Sequence, residues 1–207
     1  MNWIQKNIDI FLPQYLSDNS KKSLRESLKQ FPENIDGRLY SENIIDECSI
    51  LQGDGIKEMD IYDVPSQKIY QSPCLVISNT CDINPLNERF STINVCCIPI
   101  FSFDKFAENV KSKHSKISPV EDYLTSIRKQ EVSHCFYLPS SGALKYDGIA
   151  FFDKIVSFTN SKKLYETLKL KRFFSLSQYG FYLFLFKLSY HFTRIAEGID
   201  RDEPDNI

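Results

Sequence analysis

The pattern of apolar and polar positions divides the chain into a helical start, a strand-rich middle and a helical end. Residues 2–12 place apolar side chains at helical spacing until Pro13 ends the run. Residues 20–31 repeat this pattern, and Pro32 ends it. The spacing predicts a short helical hairpin with one modest apolar face, which must pack against the rest of the chain or against a partner.

The middle of the chain carries apolar runs of strand composition, separated by turn signals. Cys48 opens such a run, and the Gly-Asp-Gly turn at 53–55 interrupts it. Residues 72–78 (SPCLVIS) and 91–101 (STINVCCIPIF) are apolar enough to form strands that are buried on both faces. Later runs within 132–158 are rich in Val, Ile, Phe and Tyr, which predicts further strands.

Helical patterns lie between and after these strands. Residues 103–114 place Phe, Ala and Val on one face, and a second short helical piece follows before Lys129. Residues 164–174 fit a helix or a loop. Residues 176–201 predict a helix of about 24 residues that Ser177 can cap. This last helix is apolar nearly all round, so we expect it to be largely buried.

These elements together predict an α+β fold on a small, mostly antiparallel sheet or barrel, with a helical insertion and helices at both ends. Residues 1–47 are expected to form an N-terminal helical extension. Residues 48–201 are expected to form the main domain together with the long C-terminal helix. Residues 202–207 are a charged tail that we expect to be frayed.

Composition and charge narrow the classes of function. The 207 residues carry 25 basic and 27 acidic side chains, so the basic excess typical of strong nucleic-acid binders is absent. The six cysteines lie mostly in apolar runs without a CxxC spacing, which predicts reduced thiols, a cytoplasmic protein, and neither metal nor cofactor. The longest lipophilic run, 181–186, is far shorter than the ~20 residues of a membrane span, so no membrane contact is expected.

The strand at 72–78 leads into four small polar or reactive side chains, Asn79, Thr80, Cys81 and Asp82. In one interpretation they close the strand with a turn, in which Asn79 and Asp82 bond backbone N–H groups and Cys81 fills a pocket. In the other, Asn79, Thr80 and Asp82 bind a ligand while Cys81 acts as a nucleophile. A nucleophilic thiol needs a base, and His134 is the candidate because it also lies on a predicted strand.

The order of the turn and strands carries a resemblance to a known family. The Gly-Asp turn at 53–54 leads to a strand of the form P-x-L-V-I-S at 73–78 and another of the form V-x-x-I-P-I at 95–100. This order resembles the PemK/MazF-like family, whose members have an SH3-like barrel and are often mRNA-cleaving toxins. The longer pattern VIS-x-TCD at 76–82 resembles a divergent branch of bacterial proteins.

The resemblance implies positions for RNA cleavage. In those toxins an arginine just before the first strand and a threonine or serine just after the second serve the reaction. Ser102 matches the second position, whereas residues 70–72 (Tyr-Gln-Ser) occupy the first. Arg89, in the connecting loop, and Arg194, on the last helix, are the candidates to supply a cation, and Arg194 is also a candidate partner of Asp82.

Two classes of function therefore stay open. The first is a non-catalytic nucleic-acid- or protein-binding subunit of a bacterial multi-component system, in toxin–antitoxin or anti-phage defence. Its N-terminal hairpin and C-terminal helix would contact a protein partner or a second copy, and RNA is a further candidate ligand. The second is an enzyme, either an endoribonuclease that uses Ser102 with Arg89 or Arg194, or a hydrolase that depends on Cys81.

Overall fold

A computed structural model describes residues 17–29, 38–43, 49–63, 65–87, 90–91, 93–114, 117–141 and 143–193. Within these residues the helices are α1 (Asp18–Lys29), α2 (Thr80–Ile83), α3 (Phe103–Lys113), α4 (Ile117–Arg128), α5 (Lys162–Lys171) and α6 (Gln178–Thr193). The strands are β1 (Gly55–Asp63), β2 (Lys68–Val76), β3 (Val95–Ser102), β4 (Cys135–Leu138), β5 (Gly148–Phe151), β6 (Val156–Phe158) and β7 (Arg172–Phe174).

The strands form one open sheet in the order β4-β5-β3-β2-β1-β7, with β6 also paired to β3. Every pairing is antiparallel. The predicted α+β class and antiparallel sheet are confirmed, and α3 and α4 form the expected helical insertion between β3 and β4. The closed SH3-like barrel is not confirmed.

The central strand β3 has two partners on one side. Its second half pairs with β5 and its first half with β6, so β5 and β6 together follow β3 as one interrupted strand. The interruption lies opposite Ile98 and Pro99. Proline cannot donate a ladder hydrogen bond, so a break in the pairing costs little there.

Alternate residues of the strands face opposite sides of the sheet, and helices cover both sides. Leu75, Ile98 and Ile100 belong to the core that α6 covers. Cys74 and Cys97 face the other way, into the core that α5 covers. Helices α3 and α4 cover the β4–β5 part of that second face.

The C-terminal helix α6 is 16 residues long within the described residues, and most of its length is buried. Ser177 caps it, because the Ser177 Oγ accepts a hydrogen bond from the Gly180 N–H at 3.0 Å. The predicted continuation to residue 201 and the predicted helix at 2–12 lie outside the described residues. None of the helices that the structure describes is long and apolar enough to cross a membrane.

Part of the expected N-terminal extension packs into the main core. Leu39 is fully buried, and its carbonyl accepts a hydrogen bond from the Ser177 N–H at 2.9 Å. Gly180 lies so close to this segment that a Cβ there would stand 2.1 Å from the Leu39 carbonyl oxygen. The Tyr40 hydroxyl donates to the Pro139 carbonyl at 2.8 Å. These contacts fasten residues 38–41 to the start of α6 and the end of β4.

Candidate functional site

Ser102 ends β3 beside an open cleft of about 290 Å³ on the face that α3 covers. Seven side chains line the cleft: Phe101, Ser102, Lys105, Phe106, Asn109, Phe151 and Lys154. They come from β3, α3, β5 and the connection after β5. The cleft thus depends on the way α3 folds back over the sheet directly after β3.

Three half-buried aromatic rings form the apolar wall of the cleft. The Phe106 and Phe151 ring centroids lie 5.2 Å apart, and those of Phe101 and Phe151 lie 6.3 Å apart. Behind them, the His134 ring stacks on Phe151 at 5.9 Å and 14°. Each ring is supported by another ring, so the wall is pre-formed.

Two exposed lysines, Lys105 and Lys154, give the cleft its positive charge. Ser102 is the N-cap of α3, and its Oγ accepts a hydrogen bond from the Lys105 N–H at 3.4 Å. The positive end of the α3 dipole therefore points toward the cleft as well. Hydrogen bonds from Ser66, together with the nearby Lys154 ammonium, hold the pKa of Asp63 below its ordinary value.

The four residues Asn79 to Asp82 lie at the end of β2 and form the start of the one-turn helix α2. Asn79 caps this helix, because its Oδ1 accepts from the Cys81 N–H at 3.0 Å. The Thr80 Oγ1 accepts from the Gln52 N–H at 3.1 Å. The side chains of Asn79 and Thr80 thus bond turn backbone, as the first interpretation of this segment predicts.

Neighbouring side chains hold the backbone of this turn. The Asn87 Nδ2 donates to the Cys81 carbonyl at 2.6 Å, and the Asn160 Nδ2 donates to the Asp82 carbonyl at 3.3 Å. Cys81 itself is exposed, so the expectation that it fills a pocket is wrong. The turn presents a thiol to solvent, but two hydrogen-bonded asparagines fix its backbone.

The structure separates Ser102 from the Asn79–Asp82 turn. At the turn end of β3, the Cys96 N–H donates to the Ser78 Oγ at 2.8 Å. Ser102 follows Cys96 by six residues along the strand, which corresponds to about 20 Å of extended chain. The two groups of candidate residues therefore form two sites and not one.

The remaining predicted residues are spread over the molecule. His134 precedes β4, and two strands lie between β4 and the β2 strand that leads to Cys81. Three strand spacings amount to about 14 Å, and the pairing of Cys81 with His134 stays a prediction. Arg89 and Arg194 lie outside the described residues, so their roles stay predictions as well.

A buried ion pair, which the sequence patterns did not indicate, anchors the Gly-Asp turn. The Asp54 carboxylate accepts hydrogen bonds from the Ser175 Oγ at 2.6 Å, the Leu51 N–H at 2.8 Å and the Arg172 Nη1 at 3.1 Å. Burial raises the pKa of Asp54, and these three donors oppose that effect. The network fastens the turn to β7 and is closed to ligands, because both charged side chains are at most 3% exposed.

A second missed feature is a fully buried lysine in α6. The Lys187 Nζ donates to the Gln130 carbonyl at 2.9 Å and to the Val132 carbonyl at 2.8 Å. Burial lowers the pKa of Lys187 to about 7. The sequence feature that could have predicted this burial is the helix itself. It is apolar on every side, so even its lysine must face the core.

The five cysteines that the structure describes are free thiols: Cys74, Cys81, Cys96, Cys97 and Cys135. Burial raises the pKa of Cys74 to about 12 and that of Cys135 to about 11, so these two thiols stay protonated at neutral pH. In the described part of the chain, no three His, Cys, Asp or Glu side chains are grouped as metal ligands would be.

No protein-family model matches the chain, and no curated protein is detectably similar to it. The geometry of the cleft is therefore the basis on which a function can be inferred.

Proposed function

We propose that the protein is a non-catalytic nucleic-acid-binding subunit of a bacterial multi-component system, and that it holds single-stranded RNA in the cleft beside Ser102. The observation that carries this proposal is the make-up of the cleft, where three phenylalanine rings and two lysine side chains line one surface. Aromatic rings stack on unpaired bases and lysines neutralise phosphates, which is how proteins hold single strands.

The dimensions of the cleft favour one unpaired base. A volume of about 290 Å³ is at the small end of the range for ligand sites. A base that stacks on the ring of Phe106 or Phe151 would place its flanking phosphates toward Lys105 and Lys154. Because bases in a duplex are already stacked and paired, the proposal predicts a preference for single strands.

The surroundings of Ser102 support binding without catalysis. Among the residues that the structure describes, the hydrogen bond of the Ser102 hydroxyl is to the Lys105 backbone. A nucleophilic hydroxyl needs a base within hydrogen-bond reach. At the arginine position of the resembling toxins, the Ser72 hydroxyl instead donates to the Ile100 carbonyl at 3.2 Å.

We also propose that the protein derives from the PemK/MazF-like family and that its open sheet is an SH3-like barrel that has opened. Strands β1, β2 and β3 are consecutive antiparallel neighbours, as in a barrel meander. This consecutive pairing of the three strands supports the proposed origin.

We also propose that the protein binds a protein partner and is located in the cytoplasm. The free thiols support a reducing compartment. Most of α6 is buried, but Phe192 near its C-terminal end is 57% exposed. A partner of the C-terminal helix would therefore contact its last turn.

An endoribonuclease is the second candidate, and one observation favours it. Lys105 and Lys154 bring two cations to the cleft that Ser102 lines. Cations near a scissile phosphate stabilise the charge that develops during cleavage. The two candidates differ in whether RNA leaves the cleft intact.

Fluorescence anisotropy with a labelled single-stranded RNA, followed by a denaturing gel, tests both candidates. We expect binding without cleavage, and weaker binding of a duplex of the same sequence. Changing both Lys105→Gln and Lys154→Gln should weaken binding about tenfold and reduce the slope of log Kd against log salt by about 1.4, since each phosphate contact contributes ~0.7. The double variant Lys145→Gln with Lys163→Gln, which removes two exposed lysines outside the cleft, is the matched control.

Each result of this experiment decides between defined alternatives. Absence of RNA binding at low salt would reject the proposal. Cleavage that disappears in Ser102→Ala would replace it by the endoribonuclease. Equal weakening by the double control Lys145→Gln with Lys163→Gln and by the double cleft variant would show that RNA binds by diffuse charge and not in the cleft.

A further inference from the structure

Lys187 is buried against a turn that adjoins the cleft. Its two hydrogen-bond acceptors, the Gln130 and Val132 carbonyls, belong to residues 129–134, which we call the α4–β4 turn. A buried charge is costly unless polar partners compensate it. The α4–β4 turn therefore solvates the Lys187 ammonium, and the ammonium in turn holds the α4–β4 turn in place.

The α4–β4 turn is tied firmly to β4. Gln130 has a φ of +58°, and its side chain is almost fully buried. This side chain makes two hydrogen bonds to the Tyr137 backbone, one from Nε2 to the carbonyl at 2.6 Å and one to Oε1 from the N–H at 3.1 Å. A displacement of the turn would therefore be passed directly to β4.

One path from the α4–β4 turn reaches the aromatic wall of the cleft. His134, at the end of the turn, stacks on Phe151, and its carbonyl accepts from the Phe152 N–H at 2.9 Å. Phe151 is one of the three rings that line the cleft. The position of the turn thus sets the position of that ring.

A second path reaches the Ser102 end of the cleft. The Tyr137 hydroxyl donates to the Asp147 carboxylate at 2.6 Å, and the Asp147 carbonyl accepts from the Phe103 N–H at 2.8 Å. The guanidinium of Arg128, at the end of α4, lies 4.6 Å from the Phe103 ring centroid. Phe103 directly follows Ser102, so both sides of the cleft are connected to the α4–β4 turn.

We propose that Lys187 is a positioning residue for the cleft, and that its charged form holds the α4–β4 turn in the arrangement that binds ligand. This inference rests on the proposed function of the cleft. Hydrogen bonds from a charged donor are about twice as strong as neutral ones, so loss of the proton loosens both bonds to the turn. Ligand binding and protonation of Lys187 should therefore favour each other.

The groups around Lys187 define the controls. Burial lowers the pKa of Lys187 to about 7, while the neighbouring Cys135 thiol of β4 remains neutral there because burial raises its pKa. The negative charge of Asp153, after β5, also raises the pKa of Cys135. Two histidines lie on the same elements: His191 is one turn further along α6, and His134 is at the end of the α4–β4 turn. Each histidine is therefore replaced by glutamine in a control variant.

NMR of the free protein provides the first test and needs no ligand. The Lys187 ¹³Cε signal and the amide signals of residues 130–134 should titrate with one midpoint near neutral pH. This step should persist in His134→Gln and His191→Gln and disappear in Lys187→Met. Turn amides that stay unchanged while Lys187 titrates would overturn the inference. If the amides titrate but RNA does not bind, only the proposed function fails.

RNA affinity as a function of pH provides the second test, in the His134→Gln background. If binding raises the pKa of Lys187 by one unit, affinity should fall about tenfold as the pH rises through its titration. Lys187→Met should show a flat profile, and a retained step in that variant would contradict the inference. Should Lys187→Met fail to fold, the ¹³Cε midpoint with and without RNA decides, because an unchanged midpoint would also contradict it.

Discussion

Two cationic side chains of the described chain are buried, and they are held by different kinds of partner. Arg172, at the start of β7, donates from Nη1 to the Asp54 carboxylate and to the Ser49 carbonyl. Lys187, in α6, donates to the carbonyls of Gln130 and Val132. One cation thus has an opposite charge beside it, whereas the other has backbone dipoles.

Because of this difference, Arg172 keeps its charge at every physiological pH, whereas Lys187 can lose its proton near neutral pH. A guanidinium keeps its proton at every physiological pH, and the adjacent carboxylate of Asp54 balances the charge of Arg172. Carbonyl groups compensate the charge of Lys187 only in part, and burial lowers its pKa to about 7. We infer that the Arg172 pair maintains the fold, while Lys187 makes one part of the fold sensitive to pH.

The largest effect is expected from Asp54→Ala. This change leaves the Arg172 guanidinium buried without its carboxylate, which typically costs about 3–5 kcal/mol of the free energy of unfolding. Urea denaturation at neutral pH measures the loss. The double variant Asp54→Ala with Arg172→Met should be more stable than Asp54→Ala alone, because no unpaired charge remains.

Asp60→Ala is the matched control for this prediction. Asp60 is exposed and accepts a hydrogen bond from the Gln71 Nε2 at 3.1 Å, so its loss should stay within about 0.5 kcal/mol. A similar small loss in Asp54→Ala would mean that the buried pair does not fasten the turn.

The next largest effect is expected from Lys187→Met, which should lower the free energy of unfolding by about 2 kcal/mol at neutral pH. Two buried carbonyls lose their donor, and relief from burying a charge offsets part of that cost.

The pH dependence of the unfolding free energy is more informative than its value at one pH. Because the folded pKa of about 7 lies below the ordinary 10.5, the unfolded state binds more protons above pH 7. The stability of the wild type should therefore rise with pH in this range.

The measurement compares unfolding free energies of both proteins between pH 7 and about 8.5. Below this limit the cysteines of the unfolded chain remain mostly protonated, so their raised pKa values in the fold contribute little. The wild type should gain stability relative to Lys187→Met across the window. A constant difference would show that Lys187 does not change charge there, and the contrast with Arg172 would be lost.

Much of the fold could be predicted from local pattern, because apolar runs report burial directly. The strands expected at 72–78 and 91–101 are present as the end of β2 and as β3, which begins four residues later than predicted, and the helix expected at 103–114 is α3. The first half of β2 was missed, since Lys68 to Tyr70 are exposed and show no apolar alternation. Exposed hairpin strands are fixed by their partner strand and not by their own composition.

The candidate site was less predictable, because its parts come together only in three dimensions. Ser102 was selected from the resemblance, but the cleft also needs Phe151, which lies 49 positions further along the chain. The Gly-Asp turn was expected, yet its partner Arg172 lies 118 positions away from Asp54. Lys187 directly follows the lipophilic run 181–186, and its acceptors are carbonyls, which every residue carries.

The smallest effect is expected from Ser175→Ala, which weakens the Asp54 site without removing either charge. The hydroxyl donates to the carboxylate at 2.6 Å, and hydrogen bonds to charged groups contribute about 1.5 kcal/mol or slightly more. Burial already raises the pKa of Asp54 above its ordinary 3.8, and Ser175 opposes that shift. Removing the hydroxyl should therefore raise this pKa further.

The sign of this shift predicts how the loss depends on pH. Once Asp54 is protonated in the folded state, the hydroxyl no longer supports a charge, so the loss in Ser175→Ala should shrink as the pH falls toward 4, through the folded pKa that burial raises above 3.8. Urea denaturation at pH 7 and near pH 4 measures this, with the exposed Ser157→Ala as control. An equal loss at both pH values would mean that Ser175 acts by filling space. The electrostatic distinction between the Arg172 and Lys187 sites would then lose its support on the Arg172 side.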